Sequence, residues 1–290
     1  MSDTAAFPRS PLLALDTLWL QVAGTLCNLQ CTHCFISCSP TNHAHEMMSL
    51  HDVRRHLDEA EALGVKEYYF TGGEPFLHRE ILEMLEAALA RGPVSVLTNG
   101  VLIRPETAER LRALSDASPY SLDLRISIDG ADAAANDAIR GQGTFERILA
   151  GIRNLAAAGL NPVITVTEAC EGAGTTDGRA RLLAFLREIG LAQPRLKVMP
   201  LLRLGAETQR SRAYAEWESL AGRTLTPDEA ETLQCSSSRM VTARGVYVCP
   251  ILLDFPGARM GDTLAEASRP FELRYRACFT CHEQGLSCRT

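Results

Sequence analysis

The chain has 290 residues, 46% hydrophobic and 22% charged, a composition that excludes disordered and fibrous classes. Its 29 Lys and Arg against 35 Asp and Glu leave a net charge of −6, and no dense basic stretch offsets it, which argues against nucleic-acid or anionic-membrane partners. No apolar run reaches the roughly 18 residues of a membrane span, and the start MSDTAAFPRS lacks the basic-then-apolar order of a signal peptide; the expected location is the cytoplasm.

At roughly 150 residues per domain the length allows about two domains, or one α/β barrel with a small appendage. Residues 18–25 (LWLQVAGT) read as a buried strand. Ser49 opens a helix with Asp52 as a partial capping box, and Val53, Leu57, Ala60 and Leu63 keep helical spacing until Gly64. Residues 67–71 (EYYFT) form a strand ending in Gly72-Gly73, and residues 79–91 a helix stopped by Gly92. Residues 94–98 (VSVLT) form a strand ending in Asn99-Gly100, and residues 105–114 a helix with proline in its first turn. Residues 123–128 (DLRISI) form a strand ending in Asp129-Gly130, followed by a helix at 145–158. A strand at 163–167, a helix at 178–189 and a strand at 195–202 complete the series. Strands alternating with helices mean parallel βαβ units, with the site built where strands end. After Gly205 the pattern breaks, and residues 207–223 read as a connecting helix or loop. Thr226-Pro-Asp-Glu229 is a capping box that starts a short helix at Pro227. Residues 240–248 read as a β-hairpin with Gly245 near its middle. The expected division is therefore 1–206 as the barrel and 207–290 as a cysteine-rich module.

Ten cysteines are too many for an ordinary chain of this kind, and in a cytosolic protein they point to metal or redox chemistry rather than disulfides. Four lie between Cys27 and Cys38, five between Cys235 and Cys288, and Cys170 stands alone, so two separate metal sites are expected. Cys27, Cys31 and Cys34 form a CxxxCxxC triplet in a loop just past the first strand. Three thiolates can hold three irons of a [4Fe–4S] cluster, which usually takes four cysteines, and leave the fourth iron open. The alternative is a zinc site completed by His33 or His43. Cys38 is either a loop or core thiol or a substrate-side group. His43 and His45 sit in a polar loop and read as solvated.

At these residues the sequence resembles the radical S-adenosylmethionine (radical SAM) superfamily. The resemblance implies that Cys27, Cys31 and Cys34 bind the cluster and that S-adenosylmethionine chelates its open iron. Reductive cleavage of the sulfonium then yields a 5′-deoxyadenosyl radical, which abstracts hydrogen from a substrate. Gly72-Gly73-Glu74-Pro75 matches the family's GGEP motif, which holds the methionine amino group; glycines admit a ligand close to backbone, and Glu74 can accept from an ammonium. Thr98-Asn99-Gly100 matches a common third-strand ending, and Ser127 and Asp129 resemble the fourth-strand ribose contact. Residues 199–206 resemble the sixth-strand ending near the adenine. Two positions depart from the pattern: His33 stands where an aromatic is frequent, and Glu168 where many members carry asparagine. The implied fold is α/β, a partial (β/α)6 TIM-type barrel.

In the C-terminal group, Cys278 and Cys281 form a CxxC knuckle, and Cys235 and Cys249 flank the expected hairpin. This resembles the shortened SPASM module called twitch, which implies one auxiliary [4Fe–4S] cluster on these four residues, with Cys288 as a possible substitute ligand or a free thiol. A structural zinc knuckle is the alternative. Glu168, Arg203 and Tyr247 are the candidates for substrate contact. The implied partners are an electron donor such as flavodoxin or ferredoxin and a small-molecule or peptide substrate, the small molecule being slightly favoured. The chain lacks the glycine-glycine tail of the GTP cyclase of molybdenum-cofactor biosynthesis, and only 26 residues precede Cys27, short of the N-terminal recognition domain frequent in peptide-modifying members. The alternatives kept are a ribosomal-peptide maturase and, of another class, a non-catalytic zinc or iron–sulfur regulatory protein.

Overall fold

The computed structural model describes residues 6–286, so the sequence candidate Cys288 lies outside the described residues. A two-residue strand β1 (Arg9–Ser10) precedes β2 (Thr17–Gln21), whose five residues are all buried. Five βα units follow: α1 (Leu50–Ala62), β3 (Glu67–Thr71), α2 (Ile81–Leu89), β4 (Val94–Thr98), α3 (Pro105–Ala117) and β5 (Leu122–Ser127) come first. Then come α4 (Ala133–Arg140), α5 (Thr144–Ala157), β6 (Val163–Thr167), α6 (Thr176–Glu188) and β7 (Arg195–Met199). The C-terminal part holds α7 (Glu207–Arg210), α8 (Pro227–Thr232), β8 (Ser238–Thr242), β9 (Gly245–Tyr247), β10 (Arg259–Gly261), α9 (Leu264–Ala267), β11 (Phe271–Glu272) and α10 (Arg276–Gln284).

Nine strands make one sheet in the order β10-β9-β8-β2-β3-β4-β5-β6-β7. From β8 to β7 all pairings are parallel, and β9 and β10 add antiparallel strands at one edge. Both edges stay open, so the curved sheet is a partial barrel of α/β type. Covered on both faces, the parallel strands read as apolar runs: Leu18, Trp19, Leu20, Tyr68, Tyr69 and Phe70 are all buried.

The expected elements reappear with small shifts. Ser49 caps α1 by accepting from the Asp52 N–H, and Thr226 with Glu229 forms the capping box of α8. The β8–β9 hairpin turns at Ala243-Arg244, and Gly245 opens β9 opposite Thr242. The first strand stops at Gln21 rather than at residue 25, because the Gln21 amide donates to the Gly24 carbonyl and closes a turn. The last parallel strand stops at Met199, before Pro200, which has no N–H to donate. Helix α4 was not expected, since AAANDAIR has no clear apolar period; its signals are the Asp132 cap, which accepts from the Ala135 N–H, and Gly141 at its end.

The cysteine-rich part is not a loose appendage. Strand β8 pairs in parallel with β2 over Thr17–Leu20, and β1 pairs with β11. Arg239 on β8 is fully buried, and its guanidinium donates to the carbonyls of Ala267, Cys235, Ser238 and Arg269 at 2.7–2.8 Å. Burial lowers its pKa to about 10, so it stays charged at neutral pH. Arg239→Met keeps apolar bulk but strands four carbonyls in the interior, at about 1–3 kcal/mol each before relaxation. The expected loss is about 3–5 kcal/mol in urea unfolding followed by circular dichroism; a loss within the roughly 0.5 kcal/mol typical of surface changes would show that this clamp is not structural.

Candidate functional site

At the C-terminal ends of the parallel strands lies a cavity of about 280 Å³, largely apolar. Cys27, Cys31 and Cys34 line it, together with Cys38, Gly72, Gly73, Asn99, Ser127, Thr167 and Met199. The sequence motifs thus converge on one place, though they come from five different strand ends.

The cysteine loop is anchored on every side. Its start is tied to β3's end, where the Glu74 N–H donates to the Leu26 carbonyl at 3.0 Å. The approach is so close that a Cβ on Gly73 would sit 2.0 Å from that carbonyl oxygen and 2.9 Å from the Cys27 nitrogen. Only glycine fits there. Asn99 donates to Asn28 at 2.8 Å and lies 3.7 Å from Cys27 Sγ. The Thr32 N–H donates to the Ile139 carbonyl of α4 at 2.8 Å, and the Ala206 N–H to the Cys34 carbonyl at 3.0 Å. The thiols differ electrostatically. Burial pushes Cys27 up to about 12 and also raises Cys31. Cys34 is lowered to about 6, because the Cys38 thiol and the Cys38 N–H, at 3.2 Å, both donate to its sulfur; the same contact raises Cys38.

Behind the loop sits Asp129, fully buried. Its carboxylate accepts from His33 Nε2 at 2.6 Å, Arg140 at 2.7 Å, and the Thr167 hydroxyl and N–H at 2.7 and 2.9 Å. Burial alone would raise its pKa, but the Arg140 charge and the His33 hydrogen bond outweigh it and hold the carboxyl well below the usual range. Glu74 is likewise fully buried. It accepts from the Phe76 N–H, the Thr98 hydroxyl and the Asn99 N–H at 2.7–3.0 Å, while burial raises its pKa. Both carboxylates therefore face protein donors, and neither lines the cavity; Ser127 does.

The second cysteine set converges too. Cys235, Cys249, Cys278 and Cys281 are buried and line one small apolar pocket, with Leu233, Val248, Ile251 and Leu252 around them. Burial raises Cys249 to about 12 and pushes Cys278 well up, and negative charge on Cys235, Cys249 and Cys281 raises Cys278 further. Among the described residues no three His, Cys, Asp or Glu side chains close on a point as ligands of a single ion do. Thiolates on a cluster each hold a different iron and stand farther apart. Four inward thiols in an apolar shell are the donor set such a cluster takes. Three thiols beside a glycine-lined strand end, with His33 Nδ1 and Arg140 Nε buried and unpartnered in the protein, fit a cluster and a polar cosubstrate.

The remaining sequence candidates lie elsewhere. Glu168 is exposed, Arg203 lies 3.8 Å from Glu218, and Tyr247 is buried edge-on against His45; none lines the cavity. His45 is not solvated as expected: it is buried with Nε2 3.1 Å from Asp254, because its carbonyl accepts from the Thr25 N–H and draws the loop inward. His43 is exposed. Arg140, Arg125, Lys197 and Trp19 line the cavity without having been singled out in the sequence. The available signal for Arg125 was a charge at the centre of a strand, flanked by Leu124 and Ile126.

A family model described as the radical SAM superfamily matches residues 22–186, more than half of the chain, and the chain belongs to that superfamily. The mycofactocin maturase MftC of Mycobacterium tuberculosis is 40% identical over 134 residues, 46% of this chain and 32% of that protein. The AdoMet-dependent heme synthase of Methanosarcina barkeri is 37% identical over 142 residues, 48% of this chain and 38% of that protein. The chain therefore spans well under half the length of these curated relatives. Streptococcus suis SuiB bound to S-adenosylmethionine shares the fold at TM-score 0.64 and 18% identity, over 85% of this chain and 63% of that one. So does anSMEcpe with bound AdoMet, at TM-score 0.63 and 18% identity, over 87% and 79%.

Asp129→Asn would leave Arg140 buried without its counter-charge, at a cost of about 3–5 kcal/mol. Because the folded carboxyl is depressed, its contribution is fully present above the ordinary carboxylate range, about 4, and is lost only as pH falls below it. The destabilisation should therefore be present in urea titrations at both pH 6 and pH 8; a wild-type-like midpoint at both would show that Asp129 carries no such load.

Proposed function

We propose that the chain is a radical SAM oxidoreductase or maturase. It reductively cleaves S-adenosylmethionine at the mouth of the partial barrel and oxidises or cross-links a substrate held in the cavity beneath. The observation that carries this reading is that Cys27, Cys31 and Cys34 line the same cavity as the Gly72-Gly73 strand end, Asn99 and Ser127. Cys27, Cys31 and Cys34 would hold three irons of a [4Fe–4S] cluster, which when bound would supply the electron for reductive cleavage of the sulfonium of S-adenosylmethionine. The protein's part is to hold three thiolates and to offer close backbone at Gly72 and Gly73. Arg140, paired with Asp129, keeps its Nε as a buried donor for a polar group of the cosubstrate.

Residues 207–290 are proposed as a twitch-like module, with Cys235, Cys249, Cys278 and Cys281 on an auxiliary [4Fe–4S] cluster that accepts the substrate's electron. The four-thiol pocket supports this. A small-molecule substrate is one reading. A peptide is the other, and the likeness to the MftC maturase and a 32% identity over 136 residues to the subtilosin biosynthesis protein AlbA of Bacillus subtilis favour it. A flavodoxin or ferredoxin in the cytoplasm would supply the reducing electron.

Replacing Cys27, Cys31 and Cys34 together by alanine should abolish 5′-deoxyadenosine formation under dithionite and leave about four of about eight irons per chain. Turnover surviving in that variant would overturn the assignment, and one or two zincs without sulfide in the wild type would favour the non-catalytic reading. Alanine at Cys278 and Cys281 should remove about four irons while reductive cleavage of S-adenosylmethionine continues. Unchanged iron content there would remove the auxiliary cluster from the proposal.

A further inference from the structure

The cavity wall is largely apolar, and β5 and β7 place two cations on it, Arg125 and Lys197. Arg125 is 3% exposed. One guanidinium nitrogen donates to the Tyr69 hydroxyl at 3.1 Å, and the group lies 4.9 Å from the centre of the Tyr69 ring, which stacks on Trp19 at 4.5 Å. Among the described residues it has no carboxylate partner, and its Nε is buried with no hydrogen bond. A phenol and a ring face stabilise a cation in part, but a guanidinium withdrawn from water calls for an anion. Lys197 adds positive charge two strands away on the same wall, and Trp19 Nε1 and Gln234 Nε2 are further buried donors without a partner in the protein.

We infer that Arg125 and Lys197 form the floor of a substrate subsite that takes a carboxylate, with the Trp19–Tyr69 stack beside it for a flat apolar neck. This rests on the reading of the cavity as a substrate chamber and names the chemistry of what enters it. The carboxylate of S-adenosylmethionine is the competing source of the anion, and depth separates the two. Arg125 precedes Ser127 by two residues on β5, which at about 3.3 Å per residue puts it about 6.6 Å below the strand end. The glycines, Asn99 and Arg140 stand at the mouth.

The test uses the reconstituted holoprotein under anaerobic calorimetry, with hippurate and its neutral amide, hippuramide, as probes, with and without S-adenosylmethionine. Hippurate should bind at least tenfold more tightly than hippuramide, additively with S-adenosylmethionine. Arg125→Gln should erase that preference while leaving the affinity for S-adenosylmethionine within about twofold. Arg125→Lys should keep part of the preference, and iron content and circular dichroism of both variants check that they fold. Equal binding of acid and amide, no binding of either, or a preference that survives Arg125→Gln overturns the subsite. A fall in S-adenosylmethionine affinity in Arg125→Gln, or competition between it and hippurate, assigns the anion to the cosubstrate and overturns it too. Because binding is read without turnover, failure of the wild type to form 5′-deoxyadenosine would count against the proposed reaction and not against the subsite.

Discussion

The buried charge of Asp129 is the constraint on which the site depends. A carboxylate this deep is tolerated only when cations and donors surround it, and here they come from separate parts of the chain. His33 belongs to the cysteine loop, Arg140 to α4 and Thr167 to the end of β6. Satisfying one acid therefore locks the loop, a helix and two strand ends into a single arrangement. The cysteines owe their convergence to this lock and to the close passage of Gly73 against Leu26. Glu74 plays the same part on the other flank, joining the β3 and β4 ends through Phe76, Thr98 and Asn99.

The second cysteine set depends on the sheet. Because β8 hydrogen-bonds to β2 in parallel, the hairpin that carries Cys235 and Cys249 is fixed to the strand that leads into the first cysteine loop. Gln234 and Ile251 reach the cavity wall while Cys235 and Cys249 line the neighbouring pocket. The two thiol sets thus lie on adjoining pockets that share Gln234 and Ile251 in their walls. Arg239 ties the Cys235 segment to the end of α9 by holding four carbonyls at once.

The cavity combines two environments. Its walls are largely apolar, and polar groups set within them are strengthened by the low dielectric around them. Arg140 is balanced by Asp129, whereas Arg125 leans on an aromatic stack. That asymmetry separates a mouth built around the thiols from the deeper wall, where Arg125 has no carboxylate partner among the described residues.

The parallel alternation, the helix caps at Ser49 and Thr226, and the β8–β9 hairpin were all legible in the chain, since local hydrogen bonding and period-two or period-3.6 patterns decide them. The cysteine spacing and the glycine pair were legible for a similar reason: short motifs whose chemistry follows from residue type. What Glu74 and Asp129 face was not legible. An acid at a strand end reads as a ligand contact, and only the fold reveals that neighbouring strand ends and a missed helix bring donors to it. Arg125 was hidden in its strand because strand pattern gives which side a residue faces but not what closes over it. Composition, period and spacing are properties of neighbours along the chain, and the sequence determined those. Partners for buried charges come from residues far along the chain, His33 and Asp129 being 96 positions apart, and only the tertiary structure decided them.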